Sequence, residues 1–286
     1  MAEAVIKRKR IFRFSVSQAV INAIILALLF MVVYPLFLML LRSVKDGVQE
    51  IHNPLTLTFP MHFTTYKFAW LLVRGLILNS FIVAFSITFG ILAVCTITAY
   101  GFTMFKFPGK NVLFMMILAL MMVPGILTLI PSYALVNSFG LIDSRFGVIL
   151  PGIAGGIPFG TFLLRTFFSG LPKDLFDAAD IDGASHIRRC LTLTIPLSMP
   201  IIFTLGLNTF IGAWNDLIWP SIILLDSKLH TIPIGLVAMT EDYATKNIGM
   251  GTPIAGYVIV SIPLIFLFAL TSKQFVKGLT SGAFKM

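Results

Sequence analysis

The chain has 286 residues, 57% of them hydrophobic and only 12% charged, with 27 Phe and 13 Met. The charged share is about half that of a soluble chain, and one soluble core of this size could not hide so much apolar side chain. A water-soluble globular fold is therefore set aside, as is a disordered chain, which needs low hydrophobicity and high charge; this is the composition of an integral membrane protein.

The net charge of +9 comes from 21 Lys and Arg against 12 Asp and Glu. The positive residues sit in short hydrophilic gaps between apolar blocks, which fits the bias of membrane loops rather than nucleic-acid binding. Cys95 and Cys190 share no metal-ligand spacing, so neither a disulfide framework nor a zinc site is expected. The first apolar block is too long for a signal-peptide core and lacks a small-residue cleavage motif, so it is read as a retained span.

A span needs about 20 mostly apolar residues to cross roughly 30 Å of hydrocarbon. Windows free of Asp, Glu, Lys and Arg run Phe14–Leu41, Gly75–Phe105, Asn111–Ile142, Phe146–Leu164, Cys190–Asn215 and Asn247–Ser272. None alternates in the manner of barrel strands. The expectation is an all-α membrane protein with six transmembrane helices: a basic N-terminus over 1–15, a transmembrane domain over 16–272 and a tail over 273–286. With the N-terminus inside, 14 of the 21 Lys and Arg fall on the cytoplasmic side, which predicts that both termini are cytoplasmic.

The third window holds Pro124, Gly125 and Pro131, and the fourth begins Pro151-Gly-Ile-Ala-Gly-Gly-Ile-Pro158. Proline removes a ladder hydrogen bond, and small residues let backbones approach closely. Ordinary packing in a bundle and a bent helix lining a polar path both fit. No carboxylate–histidine chain of the kind used by proton-coupled pumps is visible.

The most polar stretch, over 171–189, separates the fourth and fifth windows. Pro172 followed by Asp174 reads as a helix start, with acids near the positive end of the dipole. Asp174, Asp177 and Asp180 form an acidic stripe, and Phe176, Ala179 and Gly183 a second row with one large ring between small residues. A short helix with a protruding aromatic suits insertion into a groove on another protein. A solvated interfacial helix is the plainer alternative.

Asp177-Ala-Ala, three residues, Gly183, nine residues, Leu193-Thr-Ile195-Pro196 resembles the cytoplasmic EAA loop of permease subunits of ATP-binding-cassette importers. The spacing matches throughout, with Asp for Glu at 177, Leu for Ile at 193 and Ile for Leu at 195. Phe210-Ile-Gly-Ala-Trp-Asn-Asp-Leu-Ile-Trp-Pro220, Thr231-Ile-Pro-Ile-Gly-Leu236 and Gln274 to Lys285 are similar to the carbohydrate-uptake, maltose-type branch. The resemblance covers most of the chain from about Gly75 onward.

The resemblance implies a type I importer permease fold with a coupling loop over 170–195. It implies a second homologous permease subunit, a cytoplasmic ATPase dimer and an extracytoplasmic sugar-binding protein as partners, all at the inner membrane of a bacterium or archaeon. The coupling helix would comprise Asp174, Leu175, Phe176, Asp177, Ala178, Ala179, Asp180, Ile181, Asp182, Gly183, Ala184 and Ser185. Arg188, Arg189 and Pro196 would support the loop and the span after it. The tail, with Lys277 and Lys285, resembles tails that contact the ATPase. The sequence agrees on one point: it has no Gly-x4-Gly-Lys-Ser/Thr phosphate loop, so no cofactor is expected in this chain, and ATP and Mg belong to the partner ATPase.

Candidate solute contacts are Trp214, Asn215, Asp216 and Trp219, where aromatic faces beside amide and carboxylate groups are the means by which proteins hold sugars; an interfacial aromatic belt is the competing reading. Asn79 and Asn137 are further candidates. Three alternatives compete with this reading: a permease for a glycerol phosphodiester or oligopeptide, an ATP-independent secondary transporter, and a membrane-embedded enzyme. A phosphorylated solute calls for Arg or Lys in the path, and the six windows contain none. His52, His62, His186 and His230 lie in different loops and form no single constellation.

Overall fold

A computed structural model describes residues 16–283. The predicted basic N-terminus, 1–15, and the side chains of Lys277 and Lys285 lie outside the described residues. The described residues contain helices and no strand. In chain order the helices are α1 (Val16–Ser43), α2 (Gly47–His52), α3 (Thr64–Met104), α4 (Lys110–Leu120), α5 (Gly125–Ser138), α6 (Arg145–Phe168), α7 (Lys173–Ile181), α8 (His186–Arg189), α9 (Ile195–Leu197), α10 (Met199–Trp214), α11 (Ile218–Ile223), α12 (Ile232–Thr245) and α13 (Gly251–Ala283). Four helices are long and apolar enough to cross a membrane, and six spans result when each of two bent pairs counts as one.

All six apolar windows therefore become helical, with corrections. The third is two helices, α4 and α5, set at 96° to each other. Pro124 is extended, at ψ 126°, and a proline disfavours the helical region for the residue before it, so α4 ends ahead of Pro124 and α5 starts anew after it. The fifth is also broken: α8 passes through a π-turn at Cys190–Thr194 into α9, and the stretch His186–Leu197 bends by 78° against α10. Pro196 and Pro200 each remove one ladder donor around Ser198, a sufficient cause for the kink. α3 begins eleven residues before its window, at Thr64; its 41 residues extend about 60 Å, twice the hydrocarbon thickness, so the turns carrying Lys67 and Arg74 project beyond it. α13 runs to Ala283, so most of the predicted tail continues the last span's helix.

Pro151 and Pro158 do not break α6. Gly152, Gly156 and Gly160, at i, i+4 and i+8, receive Ile87, Ile91 and Cys95 of α3 at the same spacing. A Cβ on Gly152 would lie 2.7 Å from Ile87 Cδ1, and one on Gly160 would lie 2.6 Å from Cys95 Sγ. The small residues therefore serve close helix packing, the plainer of the two readings. Val83, Val148, Leu164, Phe168 and Leu205 complete this core. A second cluster, with Val73, Trp214, Ile232, Leu236 and Val260, sits toward the Thr64 end of α3.

That same end is closed by a polar clamp. Lys45, only 2% exposed, donates from Nζ to the Asn53 and Thr56 carbonyls, while Arg42 pairs with Glu50. Asp46 and Gln49 form a capping box at the start of α2. By contrast α1 packs along α13 and otherwise leaves its apolar side chains exposed, as a lipid-facing or partner-facing helix must.

Candidate functional site

α7 lies at the other end of the bundle, beside the Met104 end of α3 and the Phe168 end of α6. Pro172 precedes its first residue, as the sequence predicts. Its stop is a Schellman turn: Gly183 N donates to Asp180 O at 3.1 Å and Ala184 N to Ala179 O at 2.9 Å. Gly183 has φ +72° and nothing of its own chain within 4 Å of a notional Cβ. The turn, rather than close packing within the chain, is what requires glycine here.

The side chains of α7 divide differently from the predicted rows. Phe176 does not protrude: it is 7% exposed and lines a cavity of about 570 Å³ behind α7 with Thr103, Met104, Phe168, His186 and Arg189. The outward row is Leu175, Ala178 and Ile181, with Leu175 42% and Ile181 88% exposed. Periodicity identified one large ring among small residues but could not say which row faced the chain's own body. The apolar floor at the ends of α3 and α6 claims the ring, and the smaller row is left free.

Asp180 pairs with Arg189, so the acidic stripe does not act as a unit; Asp174, Asp177 and Asp182 take part in no ion pair among the described residues. Ser185 caps α8 by accepting from Arg188 N at 3.3 Å. His186 Nδ1 lies 3.5 Å from Tyr100 Oη, and its ring centroid is 4.5 Å from that of Phe105. Arg188 is exposed. Pro196 lies in α9, on the near side of the bend at Ser198.

The six predicted solute contacts are not brought together. Trp214 is 2% exposed and stacks on Phe210 with centroids 5.6 Å apart, so its ring is core. Trp219 donates from Nε1 to Gly147 O at 3.1 Å, fixing α11 to α6. Asn79 uses its whole amide: Nδ2 donates to Lys228 O at 2.8 Å and His230 O at 3.0 Å, and Oδ1 accepts from Arg145 at 2.8 Å. Asn215 is exposed and bonds back to Ile211 O at 2.9 Å, and Asn137 is exposed on α5. Asp216 alone borders a space between helices, an open recess of about 300 Å³ with Ile87, Ile91, Gly152, Thr209 and Gly212. Its carboxylate faces the backbone N–H groups of Ile218 and Trp219. Thr209, Gly152 and Gly212 carry no solute-contact signal in the sequence: α10 ends at Trp214, so helical spacing does not relate Thr209 to Asp216, and only the folded chain brings them to one recess.

Residues 86–281 match the family described as binding-protein-dependent transport system inner membrane component. The chain belongs to that family. Among relatives, it is 31% identical over 281 residues to the arabinooligosaccharides transport system permease protein AraQ of Bacillus subtilis, covering 96% of this chain and 98% of the relative. It is 35% identical over 196 residues to the galactooligosaccharides transport system permease protein GanQ of the same organism, covering 68% and 69%. It is 31% identical over 262 residues to the sn-glycerol-3-phosphate transport system permease protein UgpE of Pectobacterium atrosepticum, covering 88% and 92%. The fold matches a chain in the crystal structure of a bacterial ABC transporter involved in import of the acidic polysaccharide alginate. There the TM-score is 0.80 at 22% identity, covering 92% of this chain and 98% of that one. As a member of the family the chain is a multi-pass inner-membrane permease component, and its matched region takes in α7 and both bent spans.

Proposed function

We propose that this chain is one of two transmembrane subunits of an ATP-driven oligosaccharide importer, oriented with the α7 end and both termini in the cytoplasm. It pairs with a second, related permease subunit and receives solute from an extracytoplasmic sugar-binding protein. α7 is the coupling helix, docked in a cleft of a cytoplasmic ATPase dimer that holds ATP and Mg. The observation that carries this reading is the division of α7 itself: Phe176 anchors it to α3 and α6, while Leu175, Ala178 and Ile181 stand outward with no cover. An exposed apolar row on a short helix is what a groove-binding helix presents.

Closure of the ATPase dimer moves α7, and the movement has two routes into the bundle. Phe176 bears on the ends of α3 and α6, and the Asp180–Arg189 pair leads into α8 and the bent fifth span. Alternating access then follows from rearrangement at bends that already exist.

Relatives named for arabino- and galacto-oligosaccharides support a sugar as solute. A relative named for sn-glycerol 3-phosphate keeps a phosphorylated solute as the second reading. The Asp216 recess favours the first: it holds a carboxylate and no Lys or Arg, so it attracts hydroxyl donors and repels phosphate.

The test is Ile181→Asp in the assembled transporter. Membrane insertion should stay normal, while co-purified ATPase and uptake fall at least tenfold. Wild-type co-purification and uptake would overturn the docking assignment. A ligand screen on the cognate binding protein, with neutral oligosaccharides against glycerol 3-phosphate, decides the solute.

A further inference from the structure

The end of the bundle that carries α7 also gathers three cations at the corner of α3, α4 and α6, of which Lys106 borders the cavity behind α7 as well. Lys106, just after α3, and Lys110, at the start of α4, line an open recess of about 400 Å³ with Phe107, Gly109, Asn111 and Val112. Arg165 is in the last turn of α6, its guanidinium carbon 3.6 Å from the centroid of the Phe114 ring. Phe114 lies one turn along α4 from Lys110. The three side chains therefore share one corner, and the charges of both Arg165 and Lys106 bear on Lys110. None of them enters an ion pair among the described residues. Lys110 Nζ donates to Phe105 O at 2.9 Å, which leaves further donors on the same ammonium.

The backbone adds to the same sign. Gly109 precedes α4 with φ +77° and offers no side-chain acceptor to its first turn. Lys110 and Leu113 N–H reach the carbonyls of Phe107 and Gly109, which leaves the N–H groups of Asn111 and Val112 to an outside acceptor.

Like charges this close repel unless an anion sits among them, and the neighbouring surface specifies the kind of anion. Val112, Leu113, Met115 and Met116 are exposed apolar side chains on the same helix. An acidic protein surface leaves them unmatched, whereas an anion carrying acyl chains matches both the charges and the apolar face. We propose that Lys106, Lys110 and Arg165, with the first turn of α4, hold the phosphodiester headgroup of an anionic phospholipid at the membrane surface that carries α7. The site joins the ends of α3, α4 and α6, and Phe176 is seated against the α3 and α6 ends. Occupancy therefore steadies the seat of the coupling helix.

The assembled transporter is reconstituted in phosphatidylcholine nanodiscs containing phosphatidylglycerol, extracted into detergent, and its retained lipid counted by native mass spectrometry. Wild type should retain phosphatidylglycerol over phosphatidylcholine by about tenfold or more, the K106Q/K110Q/R165Q variant should lose that preference, and the charge-keeping K106R/K110R variant should preserve it. Equal preference in wild type and the neutral variant, or loss in the charge-keeping one, overturns the proposal. A parallel arm adds excess inorganic phosphate: lipid that stays bound supports the headgroup, and lipid that is displaced assigns the site to a free anion and overturns it.

Discussion

Arg189 reaches back across the Gly183 turn to pair with Asp180, tying the last turn of α7 to the first turn of the fifth span. Asp180 remains 56% exposed although Arg189 is only 11% exposed, and with its carboxylate this open to solvent the pair contributes about 1 kcal/mol or less to stability. Its value is in transmission rather than in folding. Asp180→Asn should therefore leave thermal stability and ATPase co-purification unchanged while lowering solute moved per ATP hydrolysed a few-fold. The exchange Asp180→Arg with Arg189→Asp should recover part of the loss. A ratio unchanged from wild type in the single variant would show that movement passes through Phe176 alone.

Gly183 tests the turn. At φ +72° an L-residue costs about 1–2 kcal/mol, and Asn is among the few that tolerate the region. Gly183→Val should loosen the end of α7 and reduce bound ATPase, with Gly183→Asn close to wild type. Equal loss in both would move the requirement from backbone conformation to contact with the partner.

Neighbouring glycines on α6 should respond with opposite signs. A Cβ on Gly156 meets the Ile91 side chain, while one on Gly155 meets nothing within 4 Å. Gly156→Val should destabilise by roughly 1–3 kcal/mol through overpacking. Gly155→Ala should stabilise slightly, by up to about 1 kcal/mol of helix propensity. Thermal unfolding in detergent separates the two, and a similar response at both positions would contradict the α3–α6 seam.

Lys45 gives the clamp at the Thr64 end of α3 a pH signature. Burial pulls its ammonium below the ordinary value of 10.5, against the opposing pull of Glu50. The unfolded chain thus binds the extra proton between the folded value and 10.5, and stability rises with pH through that window. Lys45→Met should flatten the rise and leave the Asn53 and Thr56 carbonyls without this donor, at roughly 1–3 kcal/mol for each group left unsatisfied. Unfolding midpoints measured against pH decide it, and a slope that survives in the variant would mean another group is titrating.

The sequence made some of this legible and left the rest to packing. Six charge-free windows led to six spans because hydrocarbon thickness sets their length, and Pro172 and Gly183 bracketed α7 because both act locally. Proline alone did not separate a broken helix from an intact one. Pro124 breaks the third span, whereas Pro151 and Pro158 sit in a continuous helix packed on α3 residues that fill its glycine grooves. Trp214 reads as belt, structural ring or binding face because nothing in the sequence places Val73 and Ile232 around it. The outward expectation for Phe176 fails for a similar reason, since periodicity defines rows without saying which row the chain's own body will claim.

The long, lightly attached α1 has a consequence for biogenesis. Its main neighbour is α13, which leaves the ribosome only after all the intervening chain. From Val16 to Leu41 it carries no charged residue, so it can wait in lipid as a solitary anchor. Its docking then registers that the final span has arrived.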